Sequence, residues 1–143
     1  MPSVERTITV AQPVEKVWTY LSDFTNTEEW DPPTVSTVRT SGDGGVGTTY
    51  TNVSKFLGHE SEVKYEVVRF EPNSVFELTG SASGLDLRDT ITFEERDGGT
   101  AVTYHSEFEP HGAAKLANPL LDGGLELLGN KVAKSIEEKL QTL

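Results

Sequence analysis

Residues 118–143 read NPLLDGGLELLGNKVAKSIEEKLQTL, and this stretch decides the fold. Asn118 is a favourable capping residue, and Pro119 suits the first helical position, where its missing N–H has no partner to lose. The apolar residues that follow recur at steps of three or four, which places them on one face of an α-helix: Leu121, Leu125, Leu128, Val132, Ile136 and Leu140. We therefore predict one long helix over 118–143.

A single apolar stripe of this length needs a long apolar surface to pack against. Most of the chain upstream of the helix alternates between apolar and polar residues, which is the pattern of β-strands. We therefore predict an α+β fold in which a sheet wraps around the helix. An ordinary terminal helix lying on an ordinary α+β sheet is the alternative that the same residues allow.

The predicted element order is one strand, two short helices, six strands and the long helix. Val4, Ile8 and Val10 mark the first strand, and Pro13 opens the first short helix. Asn26 and Glu29 have the spacing of a capping box for the second short helix, which ends near Trp30. The remaining strands are predicted at 34–40, 48–57, 60–70, 75–82, 85–95 and 101–109, with the sharpest hairpin signal at Asp97-Gly98-Gly99.

Length, composition and charge limit the function. The 143 residues are 35% hydrophobic and 24% charged, which is typical of one folded domain, here 1–143, with room for a core and a cavity. The net charge is −11, and no cluster of lysine and arginine interrupts it, so we expect neither nucleic-acid nor anionic-membrane binding. The absence of cysteine, of a long apolar run and of a signal-peptide pattern favours a cytoplasmic protein without membrane insertion.

Several stretches resemble known catalytic or binding motifs, but the residues in or around them do not fit those motifs. Gly42, Gly44 and Gly47 match a dinucleotide-binding spacing, but strand residues follow them where a helix should begin. Residues 80–84 resemble a nucleophile elbow, with Ala82 in place of the nucleophile. The three histidines have no metal-ligand spacing, and the paired glutamates suit solvated strand faces. We therefore expect no metal and no required cofactor.

A few polar residues fall on strand faces that we predict to point inward. They are Asn52, Tyr65, Asp89, Tyr104 and Ser106. Convergent polar groups among apolar ones are typical of a ligand pocket, but such groups can also satisfy one another or the backbone. The side of the strand at 48–57 stays open, since Tyr50, Asn52 and Ser54 share one face while Val53 and Leu57 share the other.

The segment from Ile8 to Phe24, which reads ITVAQPVEKVWTYLSDF, together with Trp30-Asp31-Pro32, resembles the opening of the START/SRPBCC superfamily, in its polyketide cyclase/dehydrase-like branch. The element order agrees with that family over the whole chain. The resemblance implies a helix-grip fold, in which a curved seven-stranded antiparallel sheet grips the C-terminal helix. It also implies a cavity between sheet and helix for a lipid, polyketide or other apolar molecule, and it carries over no catalytic residue.

Our first hypothesis is a binding or transport protein for such a hydrophobic molecule, acting as a monomer or homodimer. Asn52, Tyr65, Asp89 and Tyr104 would orient its polar end, with Ser106 on the same inward face. The predicted apolar lining is Phe76, Leu78, Ile91, Val102, Phe108, Leu121, Leu125 and Leu128, together with the ring of Tyr104.

Two alternatives come from other functional classes. A cyclase or dehydratase would need Asp89 with Tyr65 or Tyr104 as an acid–base pair. An interaction module of a toxin or stress system would instead show an exposed apolar patch. The position of Asp89 discriminates the first two classes, because a buried Asp89 with a raised pKa favours an enzyme and an Asp89 paired with Arg88 favours a binder.

Gly123 and Gly124 interrupt the apolar stripe between Leu121 and Leu125. Each glycine inside a helix costs about 1 kcal/mol relative to alanine, and Gly129 adds to this. The pair permits a close approach of the backbone, a bend that lets 113–121 move as a lid, or a loop after which the true helix starts. We predict the bend, placed at the cavity mouth.

Overall fold

The computed structural model describes residues 3–56, 58–111 and 124–143. The strands are β1 (Ser3–Val10), β2 (Thr34–Ser41), β3 (Thr49–Phe56), β4 (His59–Glu71), β5 (Val75–Ala82), β6 (Leu85–Arg96) and β7 (Gly99–Pro110). The helices are α1 (Val14–Leu21), α2 (Thr27–Trp30) and α3 (Gly124–Gln141), with a 3-10 turn at Phe24–Asn26. Each predicted strand is present, with ends that differ by at most two residues.

All seven strands form one antiparallel sheet in the order β1-β7-β6-β5-β4-β3-β2. Consecutive strands from β2 to β7 pair as neighbours, and β1 closes the far edge by pairing with β7 from Ser3↔Glu107 to Val10↔Thr100. The connection through α1 and α2 therefore carries the chain from one edge of the sheet to the other. This is the predicted helix-grip architecture, a curved sheet around the C-terminal helix.

The turn residues explain how neighbouring strands find their register. Asp97 and Gly98 both have positive φ angles, 50° and 83°, as the two-residue turn between β6 and β7 requires. Asn73 has a φ of 63° in the turn between β4 and β5. Asparagine and aspartate tolerate this left-handed backbone better than other residues with a side chain, so both turns form where their sequence permits.

Helix α3 contributes Val132, Ile136 and Leu140 to the core, as its apolar stripe predicts. It packs on β1, where Gly129 lies so close to Val4 that an added Cβ would come within 2.3 Å of the valine Cγ2. A close approach of the backbone thus accounts for Gly129. The predicted start at Asn118 and Pro119, the lid segment and Gly123 lie outside the described residues.

The predicted capping box at α2 is wrong. Asn26 has helical backbone angles and makes no side-chain cap; its Nδ2 donates to the Tyr20 carbonyl at 2.7 Å instead. Glu29 accepts a hydrogen bond from the Tyr20 hydroxyl at 2.8 Å. Both side chains therefore tie α2 back to α1, an outcome that capping spacing alone cannot reveal.

The core is richest in aromatic rings where α1 crosses the sheet. Trp18 is 7% exposed, and its indole packs edge to face on Phe70 and Phe93 at centroid distances of 5.1 and 5.0 Å. Phe24 follows along the chain and packs on Tyr65 at 4.9 Å. The rings of Trp18, Phe70 and Phe93 thus fill the space between α1 and the sheet.

Candidate functional site: a polar cluster in an apolar cavity

A cavity of about 510 Å³ opens beside the aromatic core. Strands β3, β4, β6 and β7 supply one wall, the segment from the 3-10 turn to the start of β2 supplies another, and Leu128 of α3 contributes from the helix. Most of the lining is apolar, with Trp30, Val63, Leu87 and Phe108 among its members. Concave, largely apolar sites of this size suit small organic molecules.

The structure brings seven of the predicted site residues to this cavity. They are Asn52, Tyr65, Asp89, Tyr104, Ser106, Phe108 and Leu128. Leu121 and the side chain of Leu125 lie outside what the structure describes. The convergence of these residues depends on cross-strand register, since Asp89 pairs with Ser106 and Ile91 with Tyr104 across β6 and β7.

Four predicted lining residues do not line the cavity: Phe76, Leu78, Ile91 and Val102. All four point inward as the alternation predicts, but each is fully buried in the packed core. The rings of Trp18 and Phe24 cover Phe76 at centroid distances of 6.3 Å. Alternation along a strand shows which face of the sheet points inward. The segments that pack on that face, here α1 and the 3-10 turn, decide which part of it stays open.

Strand β3 presents Tyr50 and Asn52 inward, which resolves the side that the sequence leaves ambiguous. The Asn52 amide donates to Thr37 Oγ1 at 2.8 Å and to Thr34 Oγ1 at 3.0 Å. Its Oδ1 accepts from Ser54 at 2.6 Å. Asn52 is therefore satisfied by its own neighbours and ties β3 to β2, so its main contribution is to the rigidity of the cavity wall.

Asp89 is 5% exposed and lies at the centre of the polar cluster. Its Oδ1 accepts a hydrogen bond from Ser106 Oγ. Burial raises the pKa of Asp89 to about 7, and the nearby Asp31 carboxyl adds to the rise, whereas the hydroxyls of Ser106 and Tyr65 oppose it. Asp89 does not pair with Arg88, which instead forms an ion pair with Glu77.

Asp31 is a second carboxyl in the cavity lining, and sequence reasoning missed it as a site residue. Its Oδ2 accepts from Thr34 Oγ1 at 2.6 Å, and burial raises the pKa of Asp31 to about 6. In the sequence, Asp31 belongs to the family marker Trp30-Asp31-Pro32, and the two prolines that follow it stop α2. Its place in the cavity follows from that stop, because the chain turns there from α2 into β2.

Tyr65 and Tyr104 complete the cluster. Burial raises the pKa of both phenols well above 10, and the Asp89 carboxyl raises them further, so both hydroxyls stay protonated. Gly80 lies opposite Tyr65 in the sheet, and a Cβ on it would meet the Tyr65 ring at 2.7 Å. The glycine therefore makes room for the ring, which places the phenol over the sheet beside Asp89.

The wall formed by α2 contains Trp30, which is 2% exposed and packs its indole edge to face on Tyr104 at 5.9 Å. Within the described residues, its Nε1 is the buried side-chain polar atom without a hydrogen-bond partner. Sequence reasoning used Trp30 as a family marker and a helix end. Its role as a cavity wall, with Phe24 and Thr27, depends on α2 folding back over the sheet.

Comparisons with known proteins establish the family and the fold of the chain. The family described as polyketide cyclase/dehydrase and lipid transport matches residues 1–143. The chain belongs to this family. No curated protein sequence matches the chain significantly. This polyketide cyclase/dehydrase family member also resembles solved structures, at sequence identities that establish the fold alone.

One similar structure is the ZhuI aromatase/cyclase from Streptomyces sp. R1128, with a TM-score of 0.82 and 17% identity over 96% of this chain and 92% of that one. Another is Ara h 8.0201, with a TM-score of 0.71 and 20% identity over 99% of both chains. A START superfamily protein from Mycobacterium smegmatis has a TM-score of 0.73 and 14% identity over 96% of this chain and 98% of that one. The family and these neighbours confirm the predicted START-like, helix-grip fold.

Among the residues that the structure describes, no three histidine, aspartate or glutamate side chains group as metal ligands would. None of the helices in that part of the chain has the length and apolar character needed to cross a membrane.

Proposed function

We propose that the protein binds an apolar small molecule that carries a polar end, in the cavity between sheet and helix. The observation that carries this proposal is the cavity itself, about 510 Å³ in volume, with apolar walls and one polar cluster. Walls such as Leu87 and Phe108 favour an apolar body through the hydrophobic effect. Tyr65, Tyr104 and Asp89 can orient the polar end, since each offers a hydrogen-bonding group.

The test uses N-phenyl-1-naphthylamine, a neutral fluorophore that brightens in apolar surroundings. Leu87→Trp places a larger ring in the cavity and should abolish the fluorescence rise. Val38→Trp is the matched control, because Val38 lies on the edge strand β2 with 58% of its surface exposed, away from the cavity lining. Equal binding by the Leu87→Trp variant and the wild type would place the fluorophore elsewhere and refute the proposal.

A second candidate function is acid–base catalysis of the cyclase or dehydratase type, and the burial of Asp89 favours it. A carboxyl with a pKa of about 7 exchanges protons readily near neutral pH, and a protonated Tyr65 phenol stands beside it. Dehydration of a β-hydroxy ketone needs a base for the α-proton and an acid for the leaving hydroxide. Asp89 and Tyr65 offer the two groups.

The catalytic candidate is tested with 4-hydroxy-4-phenyl-2-butanone, whose dehydration gives a strongly absorbing conjugated ketone. Asp89→Asn should lower the rate by about a hundredfold or more while fluorophore binding is retained, because general acid–base groups contribute on that scale. A wild-type protein that binds this ketone without dehydrating it faster than buffer would leave binding as the function.

An interaction module is less well supported. The large apolar side chains exposed in the described part of the chain are distributed over several elements, with Val35 and Val38 on β2, Val46 before β3, Val68 on β4 and Leu127 on α3. Exposed apolar side chains on several elements do not by themselves define one docking patch.

A further inference from the structure

The charged groups that line the cavity are of one sign. Asp31 and Asp89 line it, and among the described lining residues there is no lysine or arginine. The other titratable groups in that lining are His59, at the exposed start of β4, and the two phenols Tyr65 and Tyr104. A molecule inside the cavity therefore meets carboxyl groups without meeting a lysine or arginine of the described chain.

Neither carboxyl has a counter-ion within the described residues. Asp89 is held by Ser106 and Asp31 by Thr34, and both of these donors are uncharged hydroxyls. None of the ion pairs formed by the described residues includes Asp31 or Asp89. Asp89 is buried and Asp31 is partly buried. A carboxylate withdrawn from water without a cation is costly, and the cost falls when a bound molecule brings the cation.

Aromatic rings line the same cavity as the two carboxyl groups. Trp30, Tyr65 and Tyr104 all line the cavity, and Trp30 and Tyr104 pack against each other. The faces of such rings attract cations, most strongly where water is excluded. Carboxylates and aromatic rings in one apolar cavity are together the surroundings that suit an organic ammonium group.

We propose that the polar end of the bound molecule is a protonated amine. A molecule with a similar apolar part that ends in a carboxylate should bind more weakly. This inference rests on the proposed function and names the class of its ligand. The two aspartates supply charge-assisted hydrogen bonds to the ammonium group, which are stronger than neutral ones. A ligand carboxylate in the same position would face two groups of its own sign.

The test uses three probes with one apolar body and different ends: 1-naphthylmethylamine, 1-naphthalenemethanol and 1-naphthoic acid. Each is titrated by calorimetry into the wild-type protein at pH 8. The amine should bind about tenfold or more tightly than the alcohol, and the acid should bind most weakly. Lowering the pH to 5 should weaken the amine specifically, because Asp31 and Asp89 become protonated while the amine stays charged.

Two variants and one control assign the effect to residues. Asp89→Asn and Asp31→Asn should each reduce the preference for amine over alcohol to about threefold or less, because the neutral amide has no charge to attract the ammonium group. Asp86→Asn is the matched control on β6, because its carboxylate is exposed and contacts His111 outside the cavity. It should keep the full preference. The use of two separate aspartates keeps the test decisive if one variant folds poorly.

The possible outcomes distinguish a failure of the amine preference from a failure of the proposed binding function. If none of the three probes binds, the proposed binding function fails along with the amine preference. If amine and alcohol bind equally, or the acid binds best, the cavity binds apolar molecules and the amine preference is wrong. A fourth probe, 1-acetonaphthone, has the same apolar body and a carbonyl end. If it binds better than the amine and loses affinity as the pH rises, a protonated Asp89 donates a hydrogen bond to its carbonyl, and the inference is overturned.

Discussion

At the scale of single residues, Asp89 couples the cavity to the pH dependence of folding. The folded protein holds its pKa at about 7, above the ordinary aspartate value of about 3.9, so the folded state binds the extra proton between these two values. The free energy of unfolding therefore falls, through this group, as the pH rises from about 4 to about 7. Through Asp31, the free energy of unfolding falls in the same way as the pH rises to about 6.

We predict that Asp89→Asn removes most of the decrease in the free energy of unfolding with rising pH that Asp89 causes. The variant should match the wild type near pH 4 and exceed it at pH 8 by a few kcal/mol, since each pKa unit corresponds to about 1.36 kcal/mol. Urea unfolding at pH 4, 6 and 8 measures the difference, with Asp86→Asn as the surface control. A wild-type advantage at pH 8 would mean that the ionised Asp89 stabilises the fold.

Trp18 illustrates what a sequence establishes at this scale. Its spacing from Val14 and Val17 places it on the apolar face of α1, and the residue is buried against Phe70 and Phe93. Trp18→Ala should lower the free energy of unfolding by about 3–5 kcal/mol, as truncation of large buried aromatic residues does. Val38→Ala, at an exposed position, provides the comparison. A loss below about 1 kcal/mol for Trp18→Ala would place the indole outside the core.

At the scale of elements, Gly129 joins α3 to β1. An alanine there would gain about 1 kcal/mol of helix propensity but would press its Cβ against Val4 Cγ2, with the Arg6 guanidinium 3.2 Å away. Arg6 holds the same turn of the helix, since it donates to Asn130 Oδ1 and pairs with Glu126. The helix therefore cannot shift away without losing these contacts.

Gly129→Ala should accordingly destabilise the protein by about 1–3 kcal/mol, the usual range for overpacking. Adding Val4→Ala removes the opposing methyl groups, so the double variant should be more stable than additivity of the two single variants predicts. Thermal and urea unfolding of the wild type, the two single variants and the double variant give the four stabilities of this double-mutant cycle. Strict additivity, or a stabilising Gly129→Ala, would show that the close approach is not the reason for the glycine.

The elements also show the limit of prediction from sequence. Strand alternation and the α3 stripe predicted every strand and the helix that the structure describes. The cavity was only partly predictable, since Phe76 and Ile91 point inward correctly yet lie in filled core. Trp30 and Asp31 were missed because local signals explain them fully as a helix end, while their position over the sheet depends on the crossing of α1 and α2.

At the scale of the whole molecule, charge determines which partners can approach. The chain carries 23 acidic and 12 basic residues, and the resulting charge of −11 repels polyanions at long range. Several of the basic side chains are also paired with glutamates, including Arg6, Arg69, Arg88 and Arg96. A polyanion would therefore have to displace these glutamates before it reached the arginines.

We therefore predict that the protein does not bind nucleic acid. Non-specific binding typically has a Kd of about 10⁻⁴–10⁻⁶ M and strengthens as salt is lowered, because neutralising phosphates releases counter-ions. Anisotropy of labelled single- and double-stranded 20-mers, at 50 and 150 mM salt, should show no change up to about 100 μM protein. A variant with Glu77→Gln and Glu94→Gln frees Arg88 and Arg96 and tests whether pairing or net charge is responsible. Binding by the wild type that strengthens at low salt would contradict the prediction and revive an interaction module with a nucleic-acid partner.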